Sequence, residues 1–192
     1  MQERATRTRQ ALVLAAASEF DRHGYAGTSL VQVCKVAGAT TGALTFHFRG
    51  KSELADAVQA DGCAAVRRAV EPFTGPQGPA LERIVELTLS LTRLLQDDPI
   101  VRSSARLNRE RPDSGFSWAA CWLPTVGELA RRAQRTGQLR AGTRIDAVTY
   151  LAACLLLAAE MRVRASLQAA RDPDAVQQLE RMWDLALHGL LP

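Results

Sequence analysis

Thr40-Thr41-Gly42-Ala43-Leu44-Thr45-Phe46-His47-Phe48-Arg49-Gly50-Lys51 is the stretch on which the fold turns. It follows a short apolar segment, Leu30 to Ala37, that closes at Gly38. The order is helix, glycine turn, and a second short helix opening on small hydroxyl residues. A helix-turn-helix presents its recognition helix to a DNA groove in this way. The stretch therefore points to a DNA-binding regulator.

Outward from it, apolar residues at helical spacing run through almost the whole chain. Ala11, Leu12, Ala15, Ala16 and Phe20 predict a first helix from about Arg4 to His23, ended by Gly24. Thr28 or Ser29 caps a second helix to Ala37, and Thr40 caps a third to about Phe46. Ser52-Glu53 opens a fourth, reaching Val70. Three prolines and two glycines in residues 71–79 predict a loop. A fifth helix follows over Ala80 to Gln96, and Asp97-Asp98-Pro99 caps a sixth to about Arg109. After a break at 111–115, a seventh spans Ser117 to Thr136, with a kink expected at Pro124. The eighth runs from Thr143 to Ala169, and Asp172-Pro173 starts a ninth to Leu190. No strand alternation, internal repeat or low-complexity tract is present. The expected fold is all-α, about nine helices. Residues 1–51 form the helix-turn-helix DNA-binding domain, and 52–192 a ligand-binding and dimerisation domain.

The charge distribution agrees with this division. The chain has 192 residues and a formal net charge of +4. Residues 1–51 hold seven basic and three acidic residues, and the remainder holds 17 of each. All the excess positive charge thus lies with the helix-turn-helix, where phosphate binding needs it. The N-terminus shows no apolar leader pattern. The most apolar run, Leu151 to Ala159, is shorter than the ~20 residues a bilayer requires. No membrane association is expected, and the location is cytoplasmic. Cys34, Cys121 and Cys154 lie in apolar helical surroundings and read as buried, reduced thiols.

No cofactor, metal or catalytic centre is expected. The chain lacks GxSxG, HExxH, a P-loop and a dinucleotide fingerprint. Its three histidines, His23, His47 and His188, are far apart in sequence, and Asp97-Asp98 fits a helix cap. The last two helices are apolar on more than one stripe, which calls for burial on two sides. One side is the chain's own core. The other suits a twofold partner, giving a homodimer through Leu156, Val163, Leu179, Met182, Trp183 and Leu187. Two heads then meet two half-sites of a palindromic operator in double-stranded DNA.

Particular residues carry a resemblance to a known family. Phe20-Asp21-Arg22-His23-Gly24-Tyr25, Thr28-Ser29-Leu30, Ala37 to Leu44, Phe46-His47-Phe48 and Lys51-Ser52-Glu53-Leu54 resemble the TetR-family repressors, over roughly residues 7–58. Asp97 to Arg102, Ala105-Arg106-Leu107, Trp122, Gly137-Gln138-Leu139, Met182-Trp183 and His188 to Pro192 resemble its γ-butyrolactone receptor group. That group binds diffusible lactone or furan signals and controls antibiotic production. The resemblance implies that Thr28 and Ser29 touch phosphate. It implies that Thr40, Thr41, Gly42 and Ala43 meet groove and backbone, and that Thr45, His47 and Lys51 touch phosphate. Thr41 stands where the family usually has Lys, and Thr45 where it usually has Tyr. Phe46 and Phe48 read as core.

The resemblance also implies that Trp122 lines a ligand cavity; Trp118 lies one turn earlier on the same face. Leu87, Leu91 and Leu94 form a candidate second wall, and Leu151 and Leu155 a third. Such stripes are core by default, and only unfilled space between them makes a pocket. Thr88 and Thr149 are candidate ligand hydrogen-bond groups. The partners implied are operator DNA, a small apolar lactone-like or furan-like ligand and a second copy of the chain. Other readings are a pseudo-receptor or a drug-responsive efflux repressor with a different ligand, and a helical dimer that has lost DNA binding.

Overall fold

Helix ends follow local sequence closely. Asp98 accepts the Ile100 N–H at 2.8 Å and Pro99 occupies the first turn behind it, where its missing N–H costs nothing. Thr40 accepts the Ala43 N–H at 3.1 Å and starts the next helix. The computed structural model describes residues 2–169 and 174–190. Among them are nine α-helices and no strand: α1 (Gln2–Gly27), α2 (Leu30–Ala37), α3 (Thr41–His47), α4 (Lys51–Val70), α5 (Ala80–Asp97), α6 (Pro99–Glu110), α7 (Leu123–Arg135), α8 (Ile145–Gln168) and α9 (Ala175–Leu190). The all-α expectation holds. Asp172-Pro173, expected to open the last helix, and Leu191-Pro192 of the tail motif lie outside the described residues.

The chain forms two compact units. The first takes residues up to Ala65 together with Asp98–Trp118, and the second takes Val66–Asp97 and the chain from Ala119 onward. In the first, Leu12, Phe20, Leu44, Phe48, Leu54 and Leu107 belong to one buried cluster. Burying each such side chain contributes about 1.5–3 kcal/mol. The sixth helix lies along the first. Arg102 pairs with Asp21 at 2.8 Å, with both side chains largely shielded, and Arg106 donates to the Asp21 carbonyl at 2.8 Å.

The first helix does not stop at Gly24. It bends there, at φ 73° and ψ 179°, and resumes to Gly27. The bend breaks the helical ladder, and side chains replace what it loses. Glu110 accepts the Tyr25 N–H at 2.5 Å, and the Thr28 hydroxyl donates to the Gly24 carbonyl at 2.7 Å. The positive φ is what requires glycine at position 24; a Cβ there would also displace the ends of the Arg106 and Glu110 side chains, the nearest atom being 2.6 Å away. A similar close approach occurs between α4 and α6. A Cβ on Gly62 would lie 2.4 Å from Ser104 Cβ and 3.1 Å from the Ile100 carbonyl.

In the second unit, the four long helices α5, α7, α8 and α9 pack on one another. Trp183, fully buried, donates its indole N–H to Thr88 Oγ1 at 2.8 Å, and Thr88 in turn donates to the Val85 carbonyl at 2.8 Å. Two arginines hold the proline-rich loop: Arg132 donates to the carbonyls of Gly75 at 3.0 Å, of Gln77 at 3.2 Å, and of Gly78, and Arg83 donates to the Pro72 carbonyl. The seventh helix starts later than expected, at Leu123, after a 3-10 turn at Ala119–Cys121. Pro124 lies in its first turn and makes no kink. A proline disfavours helix in the residues before it but suits a helix start. Cys34 is a buried free thiol as expected, whereas the Cys154 thiol is free but exposed. Cys121 is not a free thiol, which corrects its reading as a reduced one.

Candidate nucleic-acid interface and regulatory residues

The α2–α3 pair has the geometry of a helix-turn-helix. Gly38 closes α2 in the left-handed region, at φ 62°, and its N–H reaches back to the Lys35 carbonyl at 3.3 Å. Two residues later Thr40 caps α3. Leu44 and Phe48 point into the core and fix the face that the helix turns outward. That outward face carries Thr40, Thr41, Gly42 and Thr45, all exposed, with Ala43 and His47 half-buried. The Thr45 hydroxyl donates to the Gly42 carbonyl at 3.1 Å. Where a Cβ on Gly42 would lie, only the Thr40 hydroxyl comes near, at 3.9 Å, so a partner's backbone has room to approach there.

Phe46 overturns one expectation. It is 80% exposed, beside Thr45 on the outward side, with its ring edge-on to His47 at 5.0 Å. Only Phe48 is core. The pattern of two aromatics flanking a histidine gives no phase by itself. The phase comes from the extended backbone at Phe48, which ends α3.

The implied phosphate contacts divide. Ser29 caps α2 by position with no side-chain hydrogen bond, so its exposed hydroxyl is open to a partner. Thr28 is buried with its proton committed to Gly24, which removes that hydroxyl as an exposed phosphate donor. Lys51 donates to the Ala26 carbonyl at 3.2 Å and its ammonium lies 4.8 Å from the Tyr25 ring. Arg111 lies 4.9 Å from the same ring centroid. An ammonium has three donors, so Lys51 keeps protons for a phosphate while its stem is held in place.

The residues expected around a ligand lie in different places. Trp122 is buried in the second unit, immediately before α7, with Leu87 and Leu91 buried on α5 and Leu155 on α8. Leu94, Thr149 and Leu151 are half-buried in the same unit. Trp118 is buried but belongs to the first unit, where its backbone N–H donates to Asn108 Oδ1 at 3.0 Å. Thr88 is a correction: its hydroxyl donates to Val85 and accepts from Trp183, so it is occupied by the fold. The Thr149 hydroxyl donates to the Ile145 carbonyl at 2.9 Å and keeps its lone pairs.

The dimerisation residues also need correction. Leu156, Val163, Leu179 and Trp183 are buried within the single chain, and Met182 and Leu187 are half-buried. None of the buried four has surface left for a partner. The outward apolar side chains of α8 include Tyr150, Leu157 and Met161, joined by the exposed Cys154, with Leu167 near its end, and α9 adds Leu185. Positions 150, 154, 157 and 161 repeat at four, three and four residues, one face of a helix. The Tyr150 phenol donates a hydrogen bond to the Cys154 sulfur beside it, which favours the protonated phenol and pushes its pKa above the ordinary value.

Comparison with known proteins gives this arrangement a lineage. The family model for bacterial regulatory proteins, tetR family, matches residues 12–58. CprB of Streptomyces coelicolor, a TetR family protein solved with its biological operator sequence, is 30% identical. That match covers 98% of this chain and 90% of the other at a TM-score of 0.79. The chain belongs to the TetR family. A γ-butyrolactone receptor (ArpA-like protein) superposes at a TM-score of 0.80 with 28% identity, covering 98% of this chain and 90% of that one. The A-factor receptor protein of Streptomyces griseus is 28% identical over 140 residues, which is 72% of this chain and 48% of that protein. The chain spans about half, or less, of the length of the curated relatives it matches. Within the TetR family it groups with the γ-butyrolactone receptors, and these relatives are regulators, not enzymes.

For this TetR-family chain, sequence reasoning missed Phe46 and the basic end of α1. The signal for the second was present: Arg4 and Arg7, three apart, share a helix face.

Proposed function

We propose that the protein is a ligand-responsive transcriptional repressor that binds operator DNA through α3 and is released by a small lactone-like or furan-like signal, in control of secondary metabolism. The observation that carries the reading is the exposed hydroxyl and glycine face of α3. It is held outward by the buried Leu44 and Phe48, within the first 51 residues, which hold all the chain's excess positive charge. Thr40, Thr41, Gly42 and Ala43 meet the groove, where threonine hydroxyls bond base edges and their methyls meet thymine methyls. Ser29, Thr45, His47 and Lys51 take phosphates. The functional division is residues 1–51 for DNA and 52–192 for ligand and partner, and α4 runs across it.

The signal binds in the second unit with Trp122, Leu94, Leu151 and Thr149 nearest it, and Leu87, Leu91 and Leu155 behind them. Trp118, which belongs to the first unit, is left out of this set. The ligand acts only by its differential affinity for DNA-competent and DNA-incompetent states. Two copies associate through the outward face of α8 and α9, Tyr150, Leu157, Met161 and Leu185, which replaces the buried residues expected earlier. A dimer places two copies of α3 on successive half-sites of a palindrome. The protein works in the cytoplasm.

The test is a salt-series titration on DNA flanking its own gene, with and without an organic extract of the producing culture. Salt-steep binding that the extract abolishes supports the proposal. Absence of binding on every duplex at low salt overturns the DNA part, and binding that the extract leaves unchanged overturns the ligand part. Trp122→Ala is expected to keep DNA binding within about threefold while raising the extract dose needed for release tenfold or more. Equal loss of both would make Trp122 a folding residue alone.

A further inference from the structure

The recognition helix carries no charge of its own: Thr41–His47 contains neither Lys nor Arg. Two nearby cations are partly engaged within the fold, Lys51 over Tyr25 and Arg9 at 5.2 Å from the Phe48 ring. Yet the first 51 residues hold the whole positive excess of the chain. Part of that excess sits where DNA held by α3 would pass. Arg4, Arg7 and Thr8 of α1 form one wall of a groove of about 390 Å³, and Gly38, Thr40 and Ala43 form the other. The groove therefore lies between the N-terminal turns of α1 and the turn of the helix-turn-helix.

Three details make it fit an anion. Arg4 is exposed and has no ion pair among the described residues. Arg7 meets Glu3 at 3.5 Å with both side chains almost wholly in water, a pair worth little and easily exchanged for another anion. Nothing lies within 4 Å of where a Cβ on Gly38 would be, so the floor is open to a ligand atom. Thr8 adds a hydroxyl that donates to the Arg4 carbonyl at 3.0 Å and keeps its lone pairs free.

We infer that this groove seats a backbone phosphate of the DNA next to the stretch α3 faces, clamped by Arg4 and Arg7. The inference rests on the proposed DNA-binding function. A guanidinium takes two phosphate oxygens at once, so the pair fixes where the duplex lies along α1. Such contacts set register and affinity without reading sequence. The interface thus extends from α3 onto the first two turns of α1, and the charge that α3 lacks comes from there.

The test measures the salt dependence of binding to two duplexes of about three helical turns, one from DNA flanking the gene and one of mixed sequence. Each phosphate contact adds about 0.9 to the slope of log affinity against log salt. Arg4→Ala with Arg7→Ala is expected to flatten the slope by about one for each arginine in each bound subunit, with the ratio of affinities for the two duplexes unchanged. Arg4→Lys with Arg7→Lys keeps most of the slope, and Glu3→Gln tightens binding at low salt. Both arginines are exposed, so the thermal midpoint stays at the wild-type value, and a circular dichroism melt checks it. If the wild type binds and the alanine pair leaves the slope unchanged, the clamp is refuted while the repressor reading stands. A changed duplex preference with an unchanged slope also refutes it. No binding by the wild type overturns both readings.

Discussion

At residue scale, the outward face of α3 and the core of the second unit make opposite demands on their aromatic residues. Phe46 has little to lose by truncation, since its ring is already in solvent. Phe46→Ala is expected to change unfolding free energy by less than about 0.5 kcal/mol and to weaken operator binding several-fold. A denaturant melt beside a titration checks it; a large stability loss with intact binding would return Phe46 to the core. Trp183 behaves the other way. Trp183→Phe keeps the apolar bulk but removes the donor to Thr88, whose oxygen keeps its bond to Val85 and accepts none in a dry site, a loss of about 1–3 kcal/mol in a urea titration. The sequence displayed the types of these residues but not their direction. Trp183 and Met182 sit side by side in a wide apolar stripe, and nothing local says which one turns inward. Thr88 likewise read as a ligand group, because its partner lies 95 positions away.

At the scale of elements, what sequence made legible was periodicity and punctuation. Eight of the expected helices begin within two or three residues of their observed starts, because caps such as Thr40 and Asp98 act on their own next turn. The late start of α7 was not legible from periodicity, since Trp118, Cys121 and Trp122 continue an apolar pattern through a segment that is not α-helical. The contact between α4 and α6 was invisible for a different reason. Gly62 looks like an unfavourable residue inside a helix, and its purpose appears only when Ser104 is found against it. Gly62→Ala would raise helix propensity yet is expected to destabilise by about 1–3 kcal/mol, because a backbone carbonyl lies in the way. A thermal melt that rises with this substitution would show that the two helices separate at no cost.

At the scale of the molecule, the outward stripe of α8 is the surface proposed for association. Tyr150, Leu157 and Met161 are too apolar and too regularly spaced for a free surface of a single chain. Met161→Glu is expected to give a folded monomer by sedimentation, with helix content unchanged and operator affinity reduced at least tenfold, since two heads no longer bind as one. A dimer that survives Met161→Glu with Leu157→Glu would move the interface elsewhere. The expectation of a twofold face came from the apolar width of the last two helices. Choosing its residues required knowing which stripe the chain keeps for itself, and that is a property of the packed molecule.

The return of α6 to the first unit has a consequence for how the protein is made. The helix-turn-helix residues leave the ribosome first, but Leu107, Arg102 and Arg106, which cover and pin α1, follow about forty residues beyond Ala65. At ordinary elongation speeds the unfinished head waits several seconds with its apolar flank uncovered. For the same reason it is no interchangeable cassette. Grafted onto a foreign body as residues 1–58 alone, it leaves behind the helix that completes it.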